Sequence, residues 1–216
     1  MARWTGRPEG DLGPVAAANG ADGSELERRR RTLVDRPWNW VTQVHGAGVV
    51  VVRDPDHVGG AEGDALVSDA PGACLAVFTA DCAPIALASP EGVVGAVHGG
   101  WRGLMAGVVG SAAEAMRALG ASRIEAALGP CIHAECYEFS PDDVETVAAR
   151  LGSTVRARTA TGRPALDLPE AVRASLRSAD VELVADEDVC TACSPAHFSY
   201  RARGERQRMA LVVWPG

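Results

Sequence analysis

The sequence predicts a single α+β domain spanning residues 1–216, with mixed and largely antiparallel sheets and an irregular N-terminal segment over about residues 1–37. Three observations predict it. Short apolar stretches at hairpin-like spacing fill the first half from Trp38 onward. Extended helical periodicity begins only at Leu104. Strands and helices then mix without the strict alternation of a doubly wound parallel sheet.

The first 37 residues are rich in Gly, Pro and Arg, and only Ser24 to Glu27 followed by Arg28–Arg31 suggests a short helix with a Ser cap and a basic, solvated face. Val41 to His45 and Val49 to Arg53 read as paired strands broken at Gly46 and Gly48. Residues 65–68, 74–79, 84–88 and 93–98 are further short strands, several of them apolar on both faces and therefore central and covered. Leu104, Val108, Ala112, Ala115 and Leu119 recur at helical steps and predict one helix over 104–119, capped by Gly120. A strand over 124–128 ends at Gly129-Pro130. Ser140 as cap and Pro141 in the first turn open a helix to about Leu151. A helix over 168–178 and strands over 181–185 and 208–214 complete the order.

The totals exclude some functions. A net charge of −7 supplies no basic field for nucleic acid. All 21 basic residues are arginine, so there is no lysine for a Schiff base or a phosphate loop. No charged-then-apolar leader opens the chain and no apolar run is long enough to span a bilayer. A cytoplasmic protein with no membrane partner and reduced thiols is expected, its six cysteines not needed as staples at this length. Oligomeric state is not legible.

Three metal-competent side chains stand where apolar stretches break: His45 in Thr42–Gly46, Cys82 in Thr79–Pro84, and His98 in Gly95–Gly103. Taken singly, each reads as ordinary packing. Together, two imidazoles and one thiolate suit a zinc with one open position. Gly99-Gly100 after His98 admits close approach of a ligand or another segment. Arg102, a planar donor just before the predicted helix, is suited to hold a carboxylate or phosphate. Asp81 is either a proton shuttle or a group that orients a zinc ligand. Gln43, two residues before His45, shares its face and is a candidate to hydrogen-bond a bound substrate. Cys190 and Cys193 form an isolated C-x-x-C read as structural, with Cys131 and Cys136 too widely spaced to be a standard second pair. His57 reads as an exposed turn residue. His133 and Cys136 fall in the loop after strand 124–128.

The stretches Thr42–Gly46, Gly63–Asp69, Thr79–Pro84, His98–Gly103, Gly129–Ile132, Cys136–Glu138, Cys190-Thr191, Phe198–Arg201 and Arg206-Gln207, in this order, resemble the laccase-domain family. That family is also called YfiH-like, multicopper polyphenol oxidoreductase-like or peptidoglycan editing factor. The resemblance implies layered sheets flanked by helices, similar to bacterial cysteine-hydrolase toxins. It implies a zinc held by His45, Cys82 and His98, and a purine nucleoside phosphorylase that also deaminates adenosine and cleaves methylthioadenosine, with nucleoside and phosphate as its partners. Residues 5–10 look like a shortened form of the family's Thr-Arg-x-Gly-Gly turn, which makes Arg7 its substrate-facing arginine.

Three other readings stand beside this one. Five histidines are too few for a blue-copper centre plus a three-copper cluster, but copper(II) can occupy the same His-Cys-His donors and support polyphenol oxidation. Cys82 can instead be the nucleophile of a metal-free hydrolase acting on a peptidoglycan precursor, with His98 as its base. A non-enzymatic metal-binding protein is the third.

Overall fold

The structure is a computed structural model, and it describes residues 1–14, 23–56 and 59–216. His57 and part of the N-terminal segment lie outside these residues. In chain order the elements are β1 (Ala2–Trp4), α1 (Gly23–Leu33), β2 (Asn39–Trp40), β3 (Val49–Val51), β4 (Ala65–Ser68), β5 (Leu75–Thr79), β6 (Ala83–Ala88), β7 (Val94–Gly99), α2 (Trp101–Ala106), α3 (Val108–Ala118), β8 (Glu125–Leu128), α4 (Pro141–Leu151), β9 (Arg156–Arg158), β10 (Pro164–Leu166), α5 (Leu168–Ser178), β11 (Glu182–Asp186), α6 (Tyr200–Arg203) and β12 (Met209–Val213).

Period-two alternation builds the layers. In β5, Leu75 and Val77 face a core shared with Leu66 of β4 and Ala96 of β7. Cys74, Ala76 and Phe78 face the opposite side, where Leu12, Val34 and Trp38 cover them. The four-stranded sheet β1-β12-β5-β2 thus packs face to face on the six-stranded sheet β11-β8-β6-β7-β4-β3. The far face of the larger sheet presents Val67, Ile85, Leu87 and Val97 to a helical layer through Val108, Met116, Val172 and Leu176. β9 and β10 form a separate hairpin.

Two strand expectations change. Residues 41–45 and 49–53 are not partners: Asn39–Trp40 pairs in parallel with β5, and β3 pairs in parallel with β4, in the other sheet. The segment between them, which carries His45, is a crossing from sheet to sheet. The single helix expected over 104–119 is two, because Gly107 takes a left-handed conformation at φ 91° and breaks the hydrogen-bond ladder. The apolar face continues through the break, which is why periodicity conceals it. The basic run of α1 is mostly the expected surface face, with Glu25 pairing Arg28 and Arg29, and Glu27 pairing Arg31. Arg30 departs from it: buried, it donates to the Leu12 carbonyl at 2.8 Å and lies over the Trp38 and Phe78 rings. Among the described residues, no helix is long and apolar enough to cross a membrane.

Candidate metal centre

Strand register brings the three metal-competent residues together. β6 and β7 pair antiparallel with Ala83 opposite Gly99, which puts Cys82, one residue before β6, beside Gly100. His98 lies within β7, and His45 reaches in from the crossing loop with φ 59°. The ligand atoms of His45, Cys82 and His98 all lie within 4.8 Å of one another. Cys82 Sγ is 3.9 Å from His45 Nε2, against ~3.6 Å across a tetrahedron with zinc–sulfur and zinc–nitrogen bonds of about 2.3 and 2.0–2.1 Å. A single ion fits between these donors. Gly100 is required there: a Cβ on it would come 2.7 Å from His45 Cδ2 and 3.4 Å from Cys82 Sγ. The close approach expected at Gly99-Gly100 is that of another chain segment.

Asp64 orients the cluster, a role the sequence reading did not give it. β4 and β7 pair with Ala65 opposite Val97, so Asp64 falls opposite His98. Its Oδ1 is 2.8 Å from His98 Nδ1 and accepts from His45 N at 2.9 Å. Its Oδ2 accepts from Gly46 N at 2.6 Å. One fully buried carboxylate therefore fixes the imidazole of position 98, leaves Nε2 toward the cluster, and anchors the loop of the other histidine. Burial alone would raise the Asp64 carboxyl, but its bonds to His98, Gly46 and His45 outweigh that and keep it lowered. The signal was available: an acid abutting the fully apolar run 65–67 needs a buried partner.

Burial alone would likewise push the Cys82 thiol up. The His98 charge, with hydrogen bonding to His45 and His98, outweighs it and brings the thiol down to about 6. His98 moves the other way: burial would lower it, and the Cys82 thiolate and Asp64 carry it up to about 9. The charged forms of the two groups thus favour one another.

The other candidate residues are placed as follows. Asp81, at φ 97°, carries a carboxylate that accepts from the Thr191 hydroxyl and from Arg201 N, both at 2.7 Å. It ties the 190–201 segment to the Cys82 turn. The carboxylate that orients one of the three metal-competent side chains, His98, is Asp64. Gln43 makes a bidentate pair with the Phe78 backbone, donating to its carbonyl at 2.8 Å and accepting from its N–H at 2.7 Å. It extends the short β2 as a side-chain surrogate for strand pairing. Arg7 is engaged by Glu205 at 2.7 Å and by the carbonyls of Pro195 and His197, and it stacks on Phe198. Arg102 is exposed and lies over the Trp101 ring. α2, which it enters, has only six residues. Neither Arg7 nor Arg102 is among the residues lining the cavity beside the three metal-competent residues.

That cavity has a volume of about 650 Å³. The three cluster residues form part of its wall, with Trp40, Phe78, Tyr200, Gln43, Thr42 and Arg208 among the others. Arg208 was not singled out in the sequence. Its Nη1 donates to the Arg206 and Gln207 carbonyls, at 2.8 and 3.0 Å. A volume in the range of ordinary small-molecule sites, aromatic walls and a guanidinium suit a flat, polar ligand with an anionic partner.

Fold and site together define an α+β protein with a His-Cys-His metal-competent centre in the wall of a small-molecule cavity. A family model described as multi-copper polyphenol oxidoreductase laccase matches residues 17–216, and the chain belongs to that family. It is 41% identical to the purine nucleoside phosphorylase ORF3 of Streptomyces griseus, over 98% of this chain and 91% of that protein. It is 44% identical to a purine nucleoside phosphorylase of Deinococcus radiodurans, over 80% of this chain and 68% of that one. The crystal structure of YlmD from Geobacillus stearothermophilus is similar, with a TM-score of 0.79 at 30% identity, covering 95% of this chain and 84% of that one.

Proposed function

We propose that the protein is a zinc-dependent purine nucleoside phosphorylase acting on adenosine, inosine or methylthioadenosine, with adenosine deaminase activity at the same centre. The observation that carries this reading is the His45–Cys82–His98 cluster, with its donors within 4.8 Å of one another, in the wall of an aromatic-lined cavity. The names of the relatives support it.

His45, Cys82 and His98 would hold the metal, which would supply Lewis-acid polarisation and acidification of water. Asp64 keeps the His98 Nδ1 proton in place, so the imidazole presents its other nitrogen. Trp40, Phe78 and Tyr200 offer aromatic faces to the purine and exclude water from one side of it. In phosphorolysis an oxygen of hydrogen phosphate forms the new bond to C1′ of the ribose, the bond from C1′ to the purine nitrogen breaks, and the purine leaves carrying the proton that the phosphate gives up. Arg208 compensates the phosphate charge at the cavity wall, a role we give it over Arg102 because it lines the cavity.

The test is phosphate-dependent release of free base from each nucleoside, followed by chromatography. Chelation should abolish release, zinc should restore it, and Cys82→Ala should be inactive under both conditions. Undiminished turnover by metal-stripped protein overturns the proposal. One observation favours a second reading: a thiol at about 6 with two imidazoles beside it is also a competent nucleophile. In that case activity survives chelation, and an alkylating reagent labels Cys82 and abolishes it.

A further inference from the structure

We propose that the chain holds a second metal ion, a structural zinc-class divalent cation bound by Cys136, Cys190, Cys193 and Glu135. Nothing in the proposed reaction uses these residues. Their spacing in the sequence hides them, since Cys190 lies 54 positions after Cys136. The fold closes that gap. Residues 134–136 form a tight 3₁₀ turn after β8, and residues 190–193 form a turn that lies against it.

The ligand atoms of all four side chains fall within 4.8 Å of one another. Cys136 Sγ is 3.3 Å from Cys193 Sγ, and Cys193 Sγ is 3.7 Å from Glu135 Oε1. A tetrahedral zinc site with bonds of about 2.3 Å to sulfur sets its sulfurs ~3.8 Å apart, so the cluster needs only a slight opening to accept the ion. The backbone has the form expected around a metal thiolate. His133 N donates to Cys190 Sγ at 3.4 Å, and the N–H groups of Ala192 and Cys193, within the same C-x-x-C turn, are directed at that sulfur. Burial keeps the free thiol of Cys190 raised, and the three N–H donors oppose that, as they would around a metal-bound sulfur. Three thiolates and a carboxylate select a borderline-soft cation and exclude calcium or magnesium.

This set differs in kind from the strand-end centre. Its four protein donors can close the tetrahedron, as structural sites do, whereas the His-Cys-His set offers three. Its position also gives it a task. Cys131 and Cys190 form a β-bridge, the neighbouring Thr191 donates to the Asp81 carboxylate, and Ile132 N donates to the Asp81 carbonyl. Asp81 precedes Cys82. The second ion staples the two loops that hold the Cys82 turn.

The test is metal content, by mass spectrometry, of protein purified without added metal, together with the absorption of cobalt-loaded protein. Wild type should carry two equivalents. Cys82→Ala should keep one, with the intense sulfur-to-cobalt absorption of several thiolates, and Cys82→Ala/Cys193→Ser should keep none. Cys193 is exposed, so its replacement by serine leaves the core intact. Glu135→Gln is a second variant, expected to lose the retained ion faster to a chelator. If the wild type carries one equivalent that survives Cys82→Ala and is lost with Cys193→Ser, this proposal stands and the strand-end centre falls. Overturning results are a Cys82→Ala protein with no metal, a retained ion indifferent to Cys136→Ser and Cys193→Ser, or a Cys136–Cys193 disulfide in place of metal.

Discussion

At the scale of single residues, the centre depends on groups that never touch substrate. Asp64 accepts from His98 and from the backbone of both His45 and Gly46. Asp64→Asn removes the charge and one of the acceptor oxygens, so metal affinity should fall by roughly 10–100-fold while the fold persists, as read by competition with a chromophoric chelator. Unchanged affinity would make Asp64 a loop anchor alone. The Cys82–His98 pair gives a second prediction, for metal-free protein. The thiol falls from its ordinary 9.0 to about 6, so its contribution to stability is present above 9.0 and fades as pH drops through about 6. His98 rises from 6.5 to about 9, so its contribution is present below 6.5 and fades as pH climbs through about 9. Each shift is largely caused by the other group, so both are charged together between these limits. The thiol's gain and the imidazole's loss offset one another, so the Tm of chelator-treated protein should be nearly flat from about pH 6 to about pH 9, and Cys82→Ser, which leaves only His98 to titrate, should slope downward as pH rises. A Cys82→Ser profile identical to wild type would remove the pair from the account. Of this centre, the sequence shows the three ligand types and the glycines that let them crowd. Arg208 escapes it because its role arises from loop packing, which no local pattern encodes; for Asp64 the local pattern shows that a buried partner is needed, and only the register shows that the partner is His98.

At the scale of elements, β2 is only two residues long, and the edge of β5 beyond it still needs partners. Gln43 supplies them at Phe78. Gln43→Ala leaves one N–H and one C=O of Phe78 unpaired, at a cost of about 1–3 kcal/mol. Because Phe78 and Gln43 both line the cavity, KM for nucleoside should rise more than kcat falls. Denaturant titration and steady-state kinetics check the two parts, and a variant as stable as wild type would show that water replaces the side chain. The same region marks what the sequence conveys about elements. β4, an apolar strand bracketed by polar residues, is read to the residue, and β5–β7 to within one residue at each end. α4 begins where Ser140-Pro141 says it must, with Ser140 Oγ accepting from Asp143 N. The β9–β10 hairpin and α6 are too short and polar to carry a period. The parallel partners of β2 and β3 are invisible because apolarity tells that a strand is covered and not which strand lies beside it.

At the scale of the whole molecule, the strand-end centre is peripheral to the cores. Three apolar clusters, between the sheets and on their outer faces, hold the layers together without it. His45 is exposed, and the cluster joins loops to strand ends without bridging the layers. Metal at this position should therefore add to stability by mass action and not create the fold. At a free zinc concentration 100 times Kd the added stability is about 2.7 kcal/mol. For a chain of this size 1 kcal/mol moves Tm by roughly 2–4 °C, so saturation should raise Tm by about 5–11 °C. Melts over a zinc titration, compared with Cys82→Ala, isolate this increment, because whatever zinc does elsewhere persists in the variant. The far-UV circular dichroism of stripped wild-type protein should match that of the loaded form. If stripping the strand-end centre alone unfolds the chain, the sheets depend on the ion and the cores described here are insufficient. If Cys82→Ala responds to zinc as fully as wild type, the ion does not bind at the three residues on which the proposed activity depends.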